Sequence, residues 1–351
     1  MNEPIDVSVV ISTYNRCDIL PGALESVLAQ KTGGVRYEVV VVDNNSTDRT
    51  REVIEAFINR GHSSNMQYVF EGRQGLSYGW NAGIERARAP IIAFTDDDTR
   101  VARDWVAAIK RAFDEHPEVD FVGGKVLPRW KSTPPAWLTR EHWAPLALAD
   151  HGDTTFYSNA DYPVCFVSKS FRRAAFDRVG LFAPELGRIR DGIGSAEDHD
   201  LMLRLWRAGR QGMYAPSVVS HADVQPERLT KAYHRAWHTG HGKFSSLMRI
   251  KEEIGADGRL VEGQCDALSL FGTPAYIYRE LMTDSMRWLA AAARGSESLS
   301  LRHESNVRYL ASYIRTRYAQ EMAKRSRSHL AEVGAFAKAF MQKKASVAGN
   351  K

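Results

Sequence analysis

The chain has 351 residues, of which 44% are hydrophobic and 25% charged, and this composition excludes disorder over most of its length. Its net charge is +5, and the excess belongs to residues 226–351, which hold 21 Lys and Arg against 12 Asp and Glu. The N-terminus lacks a basic region and no window reaches about 18 apolar residues, so we expect neither a signal peptide nor a membrane span. Together with three scattered cysteines, this predicts a cytoplasmic protein.

Short β-branched apolar runs alternate with amphipathic stretches from residue 5 to about residue 214, which predicts an α/β fold with a mostly parallel sheet flanked by helices. The predicted strands are residues 7–11, 39–42, 68–70, 91–94, 121–122, 164–167 and a segment around residue 218. The predicted helices are residues 18–30, 47–60, 77–88, 103–115, 169–178 and 196–208. Residues 128–162 are rich in proline and tryptophan and predict a long loop. The chain beyond residue 225 is predicted to be basic and mainly helical.

Unusual polar residues follow three of the predicted strands, at residues 12–16, 43–46 and 95–98. The carboxyl ends of parallel strands meet at one edge of a sheet, where open α/β folds bind their ligands. In the first segment Tyr14 offers a flat face for a base, although a single loop tyrosine more often serves packing. Asp43 ends a buried run and either accepts a hydrogen bond from a base or ribose or caps the next helix. One crevice would gather all three segments.

Three adjacent carboxylates, Asp96, Asp97 and Asp98, follow the predicted strand at residues 91–94. Such carboxylates repel one another at low dielectric unless a cation or water relieves them. Hard oxygen ligands select Mg²⁺ or Mn²⁺, and a site of this kind keeps open positions that phosphates fill. The alternative is a solvated acidic turn that caps the following helix, and the residues alone leave both open.

Glu197 and Asp198 open the predicted helix at residues 196–208. The helix macrodipole favours carboxylates in the first turn, so their simpler role is capping. The other role is general base catalysis, in which a carboxylate takes a proton from an attacking hydroxyl. His221 follows the last predicted strand and would complete a metal site with two carboxylates, although a lone histidine is more often structural. The residues alone do not choose among these roles.

Four segments, residues 9–16, 41–48, 75–83 and 94–98, occur in the order seen in family 2 glycosyltransferases, and the chain resembles that family over residues 5–240. The resemblance implies a GT-A fold, in which a nucleotide-sugar-binding sheet merges into an acceptor-binding half. We therefore expect a catalytic domain at residues 1–225, with a donor half at about 1–125 and an acceptor half at about 126–225. Residues 226–351 would form a helical C-terminal region.

The resemblance also implies roles for individual residues. The general base would be Asp198, paired with Glu197, and the metal ligands would be Asp98, Asp96 and His221. The nucleotide sugar, with uracil as the expected base, would be held by Thr13, Tyr14, Asn15, Asp43, Asn81, Asp96 and Asp97. The extra Asp97 leaves open which of the three aspartates ligates the metal directly.

The implied activity is inverting transfer of a sugar, dependent on Mn²⁺ or Mg²⁺, from a UDP-sugar to a hydroxyl of a glycan or lipid-linked glycan in polysaccharide biosynthesis. The alternatives are an inactive, glycosyltransferase-like scaffold protein and a nucleotidyltransferase. The second lacks support because no Gly-rich loop follows the first strand. Amphipathic stretches within residues 273–326 predict either contact with the anionic inner face of a membrane or packing on the catalytic domain or on a second subunit of a homo-oligomer. No nucleic-acid partner is expected.

Overall fold

The computed structural model describes residues 4–62, 65–187, 196–255, 257–261 and 268–348, and in the last helix it describes side chains up to residue 324. Its strands are β1 Val7–Thr13, β2 Tyr37–Asp43, β3 Met66–Phe70, β4 Ile91–Phe94, β5 Thr99–Val101, β6 Phe121–Trp130, β7 Phe156–Ser158, β8 Ser168–Arg172, β9 Gly212–Val224, β10 Ser269–Leu270 and β11 Thr273–Pro274. Its α-helices are α1 Leu20–Leu28, α2 Thr50–Phe57, α3 Leu76–Arg86, α4 Trp105–Glu115, α5 Arg173–Val179, α6 Glu197–Arg207, α7 Lys231–Leu247, α8 Ile250–Glu253, α9 Ala275–Ala293 and α10 Glu297–Ala348.

The first half of the main sheet is parallel, in the order β3-β2-β1-β4. Strands β1, β2 and β4 are rich in β-branched residues and buried on both faces, as parallel strands covered by helices must be, whereas the edge strand β3 is partly exposed. Successive residues of β1 point to opposite sides, so Val9 packs with α1 and α4 whereas Val10 packs with α3 and α6. The predicted strands and helices of this half are confirmed, and the α/β class with them.

The second half of the sheet mixes strand directions. β8 runs antiparallel to both β4 and β6, and β9 is parallel to β6 but antiparallel to β5 and β7. The prediction of a mostly parallel sheet therefore describes only the first half. β6 continues to Trp130 and β7 lies at Phe156–Ser158, so the segment predicted as a long loop contains strand.

The predicted strand at residues 164–167 is wrong, because pairing with β4 begins only at Ser168. These residues are apolar for another reason: Phe166 is buried in an aromatic cluster with Phe121, Phe156 and Tyr214. Gly123 makes room for that ring, since a Cβ built there would lie 2.1 Å from Phe166 Cγ.

The C-terminal helices pack onto the sheet and extend its core. Ile250, Ile277, Leu310 and Tyr313 are buried in the same cluster as residues of β4 and α6. The expectation of a helical C-terminal region is confirmed, and the boundary near residue 225 stays a prediction. In the part of the chain that the structure describes, no helix is both long enough and apolar enough to cross a bilayer.

Candidate functional site

A cavity of about 910 Å³ opens at the carboxyl ends of β1 and β4. It is bounded by the sheet, the first turn of α6, the segment at residues 140–151 and one face of α7. The sequence-predicted residues on its wall are Thr13, Tyr14, Asp96, Asp97, Asp98, Glu197 and Asp198. Segments that are far apart along the chain therefore meet in one place, as the sheet-edge argument predicts.

The remaining donor residues of the prediction support this wall rather than form it. Asp43 is buried and accepts hydrogen bonds from the Ser46 amide at 2.9 Å and the Tyr68 hydroxyl at 3.1 Å. Asn15, at a positive φ of 50°, accepts a hydrogen bond from the Thr47 amide at 2.8 Å through its side-chain oxygen. These contacts fix the loops that follow β1 and β2, and the direct nucleotide contacts predicted for the two residues stay predictions.

Asn81 connects α3 to the loop before α6. Its amide nitrogen donates to the Phe182 carbonyl at 2.9 Å, and its oxygen accepts from the Phe182 amide at 3.0 Å. Both functional groups of the side chain are thus engaged by backbone. This arrangement braces the cavity indirectly, and the predicted role of Asn81 in the donor site stays a prediction.

The three aspartates after β4 have different surroundings. Asp97 accepts a hydrogen bond from the Thr13 hydroxyl at 2.7 Å. Burial, with the charge of Asp98 next in importance, raises the pKa of Asp97 to about 7. Asp98 instead pairs with Arg228, which lies 3.4 Å away in the turn after β9. The acidic turn is therefore a partly buried wall of the cavity.

No group of three or more His, Cys, Asp or Glu side chains within the described ranges is arranged to hold a metal ion by itself. Magnesium-like ions, however, are commonly held by one or two carboxylates together with substrate phosphates and water. Asp96 and Asp98 supply two carboxylates on the cavity wall beside Asp97, whose pKa is raised by burial and by the charge of Asp98. The chemistry of these residues fits a divalent cation that arrives with a diphosphate.

His221 lies away from these carboxylates. It sits on β9 between Ser220 and Ala222, and both of those residues line the cavity. Side chains alternate along a strand, so His221 points to the opposite face, where burial and Arg129 lower its pKa. The expected set of two carboxylates and this imidazole is not assembled around the cavity.

Asp198 stands at the start of α6 and is held by a buried lysine. Lys169, 6% exposed, donates to Asp198 Oδ2 at 2.6 Å and places its ammonium 4.0 Å from the centre of the Trp80 ring. Burial raises the pKa of Asp198, and Lys169 opposes that rise. Burial alone would lower the pKa of Lys169, but the charges of Asp198 and Asp96 outweigh it and raise that pKa. The other carboxylate oxygen, Asp198 Oδ1, accepts no hydrogen bond from the described residues.

Glu197 is 2% exposed beside Asp198, at the N-terminal end of α6 where the macrodipole favours both carboxylates. The preceding Gly194 and Ser195, which belong to the same sequence motif, lie outside the described residues. The predicted pair therefore stands on the cavity wall, and its catalytic role stays a prediction.

Several wall residues were missed by the sequence analysis, namely Lys169, Arg228, Tyr233, Trp237 and His241. The first two are cations that pair with predicted acidic residues, and the other three lie on α7, outside the region of resemblance or at its end. Lys169 gave no signal in the sequence, because residues 169–178 are predicted as a helix and only the structure places this lysine in β8. The aromatic residues of α7 gave no signal, since a helix face of this kind is ordinarily core.

The three tryptophans of residues 128–162 lie in different surroundings. Trp143 lines the cavity beside Arg140. Trp137 is 8% exposed and packs edge-on against His142 and His234. Trp130 packs on the small core cluster under this segment. Trp143 packs on that cluster as well, so all three tryptophans anchor the segment and Trp143 also faces the cavity.

Comparison with known families finds a match to Glycosyl transferase family 2 over residues 8–180. A glucosyl-dolichyl phosphate glucuronosyltransferase of Haloferax volcanii is 27% identical over 59% of this chain and 66% of its own length. A validoxylamine A glucosyltransferase of Streptomyces hygroscopicus is 35% identical over 30% of this chain and 25% of its own length. The matches thus span less than two thirds of the length of these curated relatives.

Solved structures agree on the fold. A Pyrobaculum calidifontis mannosyltransferase in complex with GDP-Man and Mn²⁺ superposes with a TM-score of 0.56, at 20% identity, over 89% of this chain and 86% of its own. A TarS fragment from S. aureus in complex with UDP superposes with a TM-score of 0.50, at 18% identity, over 88% of this chain and 91% of its own. Residues 8–180 thus match the family 2 glycosyltransferases, and the chain has the GT-A fold of these enzymes.

Proposed function

We propose that this family 2 chain is an inverting glycosyltransferase that moves a sugar from a nucleoside diphosphate sugar to a hydroxyl of a glycan or lipid-linked glycan. The observation that carries the proposal is the shared cavity. Its wall includes the loop after β1, the acidic turn after β4 and the first turn of α6. A donor held by the first two elements would present its sugar to the third.

In this proposal Asp198 is the general base. Its free oxygen, Oδ1, accepts the proton of the acceptor hydroxyl, while Lys169 holds the other oxygen and fixes the orientation of the carboxylate. The raised pKa of Asp198 makes it a stronger base than an exposed aspartate. The hydroxyl oxygen attacks the anomeric carbon as the bond to the diphosphate breaks, so a single displacement inverts the configuration.

The leaving diphosphate carries negative charge that the cavity must offset. Arg228 and Arg16 line the cavity and supply charge-assisted hydrogen bonds to phosphate oxygens. Asp96 and Asp98 would hold Mn²⁺ or Mg²⁺, which when bound acts as a Lewis acid on the diphosphate. Arg228 is then shared between Asp98 and the leaving group, a role that its position 3.4 Å from Asp98 permits.

The base end of the donor would lie against Tyr14, with Thr13 and the braced loop of Asn15 and Asp43 around it. The neighbouring structures bind different nucleotides, UDP in one case and GDP-Man in the other. We propose UDP from the resemblance, with GDP as the alternative that a donor panel decides. The archaeal relative is named for a dolichyl phosphate acceptor, which supports a lipid-linked acceptor for this chain.

The test begins with release of nucleoside diphosphate from UDP-glucose, UDP-N-acetylglucosamine, UDP-glucuronate and GDP-mannose, with Mn²⁺ and with a chelator. Metal-dependent release from one donor supports the proposal, and no release from any of them supports the scaffold alternative. With that donor, Asp198→Asn is expected to lower transfer to the acceptor at least a hundredfold while donor affinity stays unchanged. Asp200→Asn is the matched control, since Asp200 pairs with Arg204 on the same helix. Full transfer by Asp198→Asn would refute the base assignment.

The nucleotidyltransferase alternative makes a different product. It would consume a sugar phosphate and a nucleoside triphosphate and release pyrophosphate, whereas a glycosyltransferase releases a nucleoside diphosphate. Detecting which phosphate product forms separates the two classes without knowledge of the acceptor.

A further inference from the structure

Helix α9 has an apolar face on each side. One face turns inward, since Ile277 is fully buried and Leu281 packs against the core. The other side exposes Met282, Met286 and Leu289, which are 62%, 65% and 69% accessible. Their spacing of four and three residues places them on one stripe of the helix. Packing on the core therefore covers the inward face of α9 and leaves the stripe of Met282, Met286 and Leu289 exposed.

The stripe continues into the hairpin that precedes the helix. Leu270 and Phe271 at its tip are 53% and 43% exposed, and Phe271 adopts a positive φ of 49° in the turn. The Tyr278 hydroxyl donates to the Leu270 carbonyl at 3.0 Å, and Tyr278 lies one turn before Met282 on the same side of α9. We define the apolar strip as Leu270, Phe271, Met282, Met286 and Leu289.

The charges on α9 are unbalanced around this strip. Glu280 is paired with Lys251 at 2.9 Å, and Asp284 lies 2.9 Å from His303. Three arginines of the helix are exposed and form no ion pair within the described part of the chain, namely Arg279, Arg287 and Arg294. The surface therefore combines exposed apolar side chains with unpaired cations.

We propose that the apolar strip docks this protein on the surface of an anionic phospholipid membrane, with the α9 arginines at the level of the headgroups. Met, Leu and Phe side chains beside flexible cations are the composition of helices that lie in a membrane interface. A second copy of the chain fits less well, because a two-fold contact through this strip would bring the same arginines together while both acids of α9, Glu280 and Asp284, already have partners. Charge complementarity thus selects a negatively charged, partly apolar surface.

The docking would bring the catalytic domain to the surface where a lipid-linked acceptor resides. It is nevertheless independent of the proposed function, because it rests on α9 and the hairpin and on no residue of the cavity. Membrane binding and sugar transfer can therefore succeed or fail separately, and each has its own measurement.

The experiment is sedimentation of the full chain with vesicles of phosphatidylglycerol and phosphatidylcholine, compared with phosphatidylcholine alone. Wild type is expected to bind the anionic vesicles and to dissociate as salt rises. Each of Arg279→Gln and Arg287→Gln should weaken binding about fivefold, which corresponds to about 1 kcal/mol per arginine. Leu289→Asp should weaken it about tenfold or more, because an apolar anchor becomes an anion. Arg111→Gln, on the exposed side of α4, is the matched control and should bind like wild type.

Three results would overturn the proposal. The first is a wild-type protein that stays in the supernatant with anionic vesicles. The second is a stable dimer, seen by light scattering, that Leu289→Asp dissociates while vesicle binding is absent. The third is retention on immobilised polyglutamate without binding to anionic vesicles, which would indicate an acidic protein partner. Release of nucleoside diphosphate by the same variants should equal that of wild type, and equal melting temperatures show that they are folded.

Discussion

The pairing of Lys169 with Asp198 makes a quantitative prediction about both stability and activity. Lys169→Met keeps an unbranched side chain of similar length but removes the cation from a site that is 6% exposed. Removing one partner of a buried ion pair costs about 3 to 5 kcal/mol when the other stays charged. At about 2.1 cal/mol/K of unfolding entropy per residue, the melting temperature of this chain is then expected to fall by about 4 to 7 °C at neutral pH.

The sign of the pH dependence follows from Asp198. In the wild type Lys169 opposes the rise in the pKa of Asp198, so Lys169→Met raises the pKa of Asp198 further. A group whose folded pKa lies above its unfolded value of 3.8 stabilises the protein at low pH and loses that contribution as pH rises. The deficit of the variant relative to wild type should therefore be small near about pH 4 and largest near about pH 8. The acidic limb of the profile of kcat/KM should move to higher pH.

Differential scanning fluorimetry across that pH range measures the deficit, and a double variant tests its cause. Lys169→Met with Asp198→Asn removes both charges and should recover at least half of the lost stability, because neither ion is left unpaired. A single-variant deficit that is equal at both pH values would refute the reasoning. The reasoning would also be refuted if the double variant is no more stable than the sum of the stability losses of the two single variants predicts.

Two further substitutions test the packing of the core and the charge of the cavity. Gly83→Ala should lower the free energy of unfolding by about 1 to 3 kcal/mol in urea denaturation, since the new Cβ would lie 2.3 Å from Val10 Cγ1. Gly72→Ala is the control and should not lower the free energy of unfolding, because its Cβ would lie 3.5 Å from its nearest neighbour. Equal effects of the two substitutions would contradict the packing argument. Arg228→Gln should weaken binding of UDP about tenfold in calorimetry through loss of a charge-assisted hydrogen bond, and unchanged affinity would exclude contact with the diphosphate.

The parallel first half of the sheet was predictable because local pattern and tertiary structure agree there. The run Ile91–Phe94 is short, β-branched and bounded by polar residues, and it forms β4 at the predicted limits. The same agreement placed Thr13, Tyr14 and the three aspartates at one edge of the sheet, since parallel strands end together. Sequence reasoning works for such elements because burial on both faces leaves few alternatives.

The second half of the sheet was harder to predict because its strands are set by partners far along the chain. The segment Ser168–Arg172 is polar, yet it forms β8 between β4 and β6, whereas the apolar run before it is loop. Lys169 could not be placed on the cavity wall until that register was known. His221 shows the same limit, since one step along β9 separates facing the cavity from facing away.

The distribution of charge around the cavity connects these observations. Two cations on the cavity wall each pair with one acid: Lys169 with Asp198, and Arg228 with Asp98. Burial and the charge of Asp98 raise the pKa of Asp97, although Arg16 opposes that rise. A bound divalent ion would relieve that same turn, so donor binding and neutralisation of the acidic wall are expected to be one event. Titration of Mn²⁺ with and without UDP tests this coupling: each ligand should tighten the other by the same factor, and independent binding would contradict it.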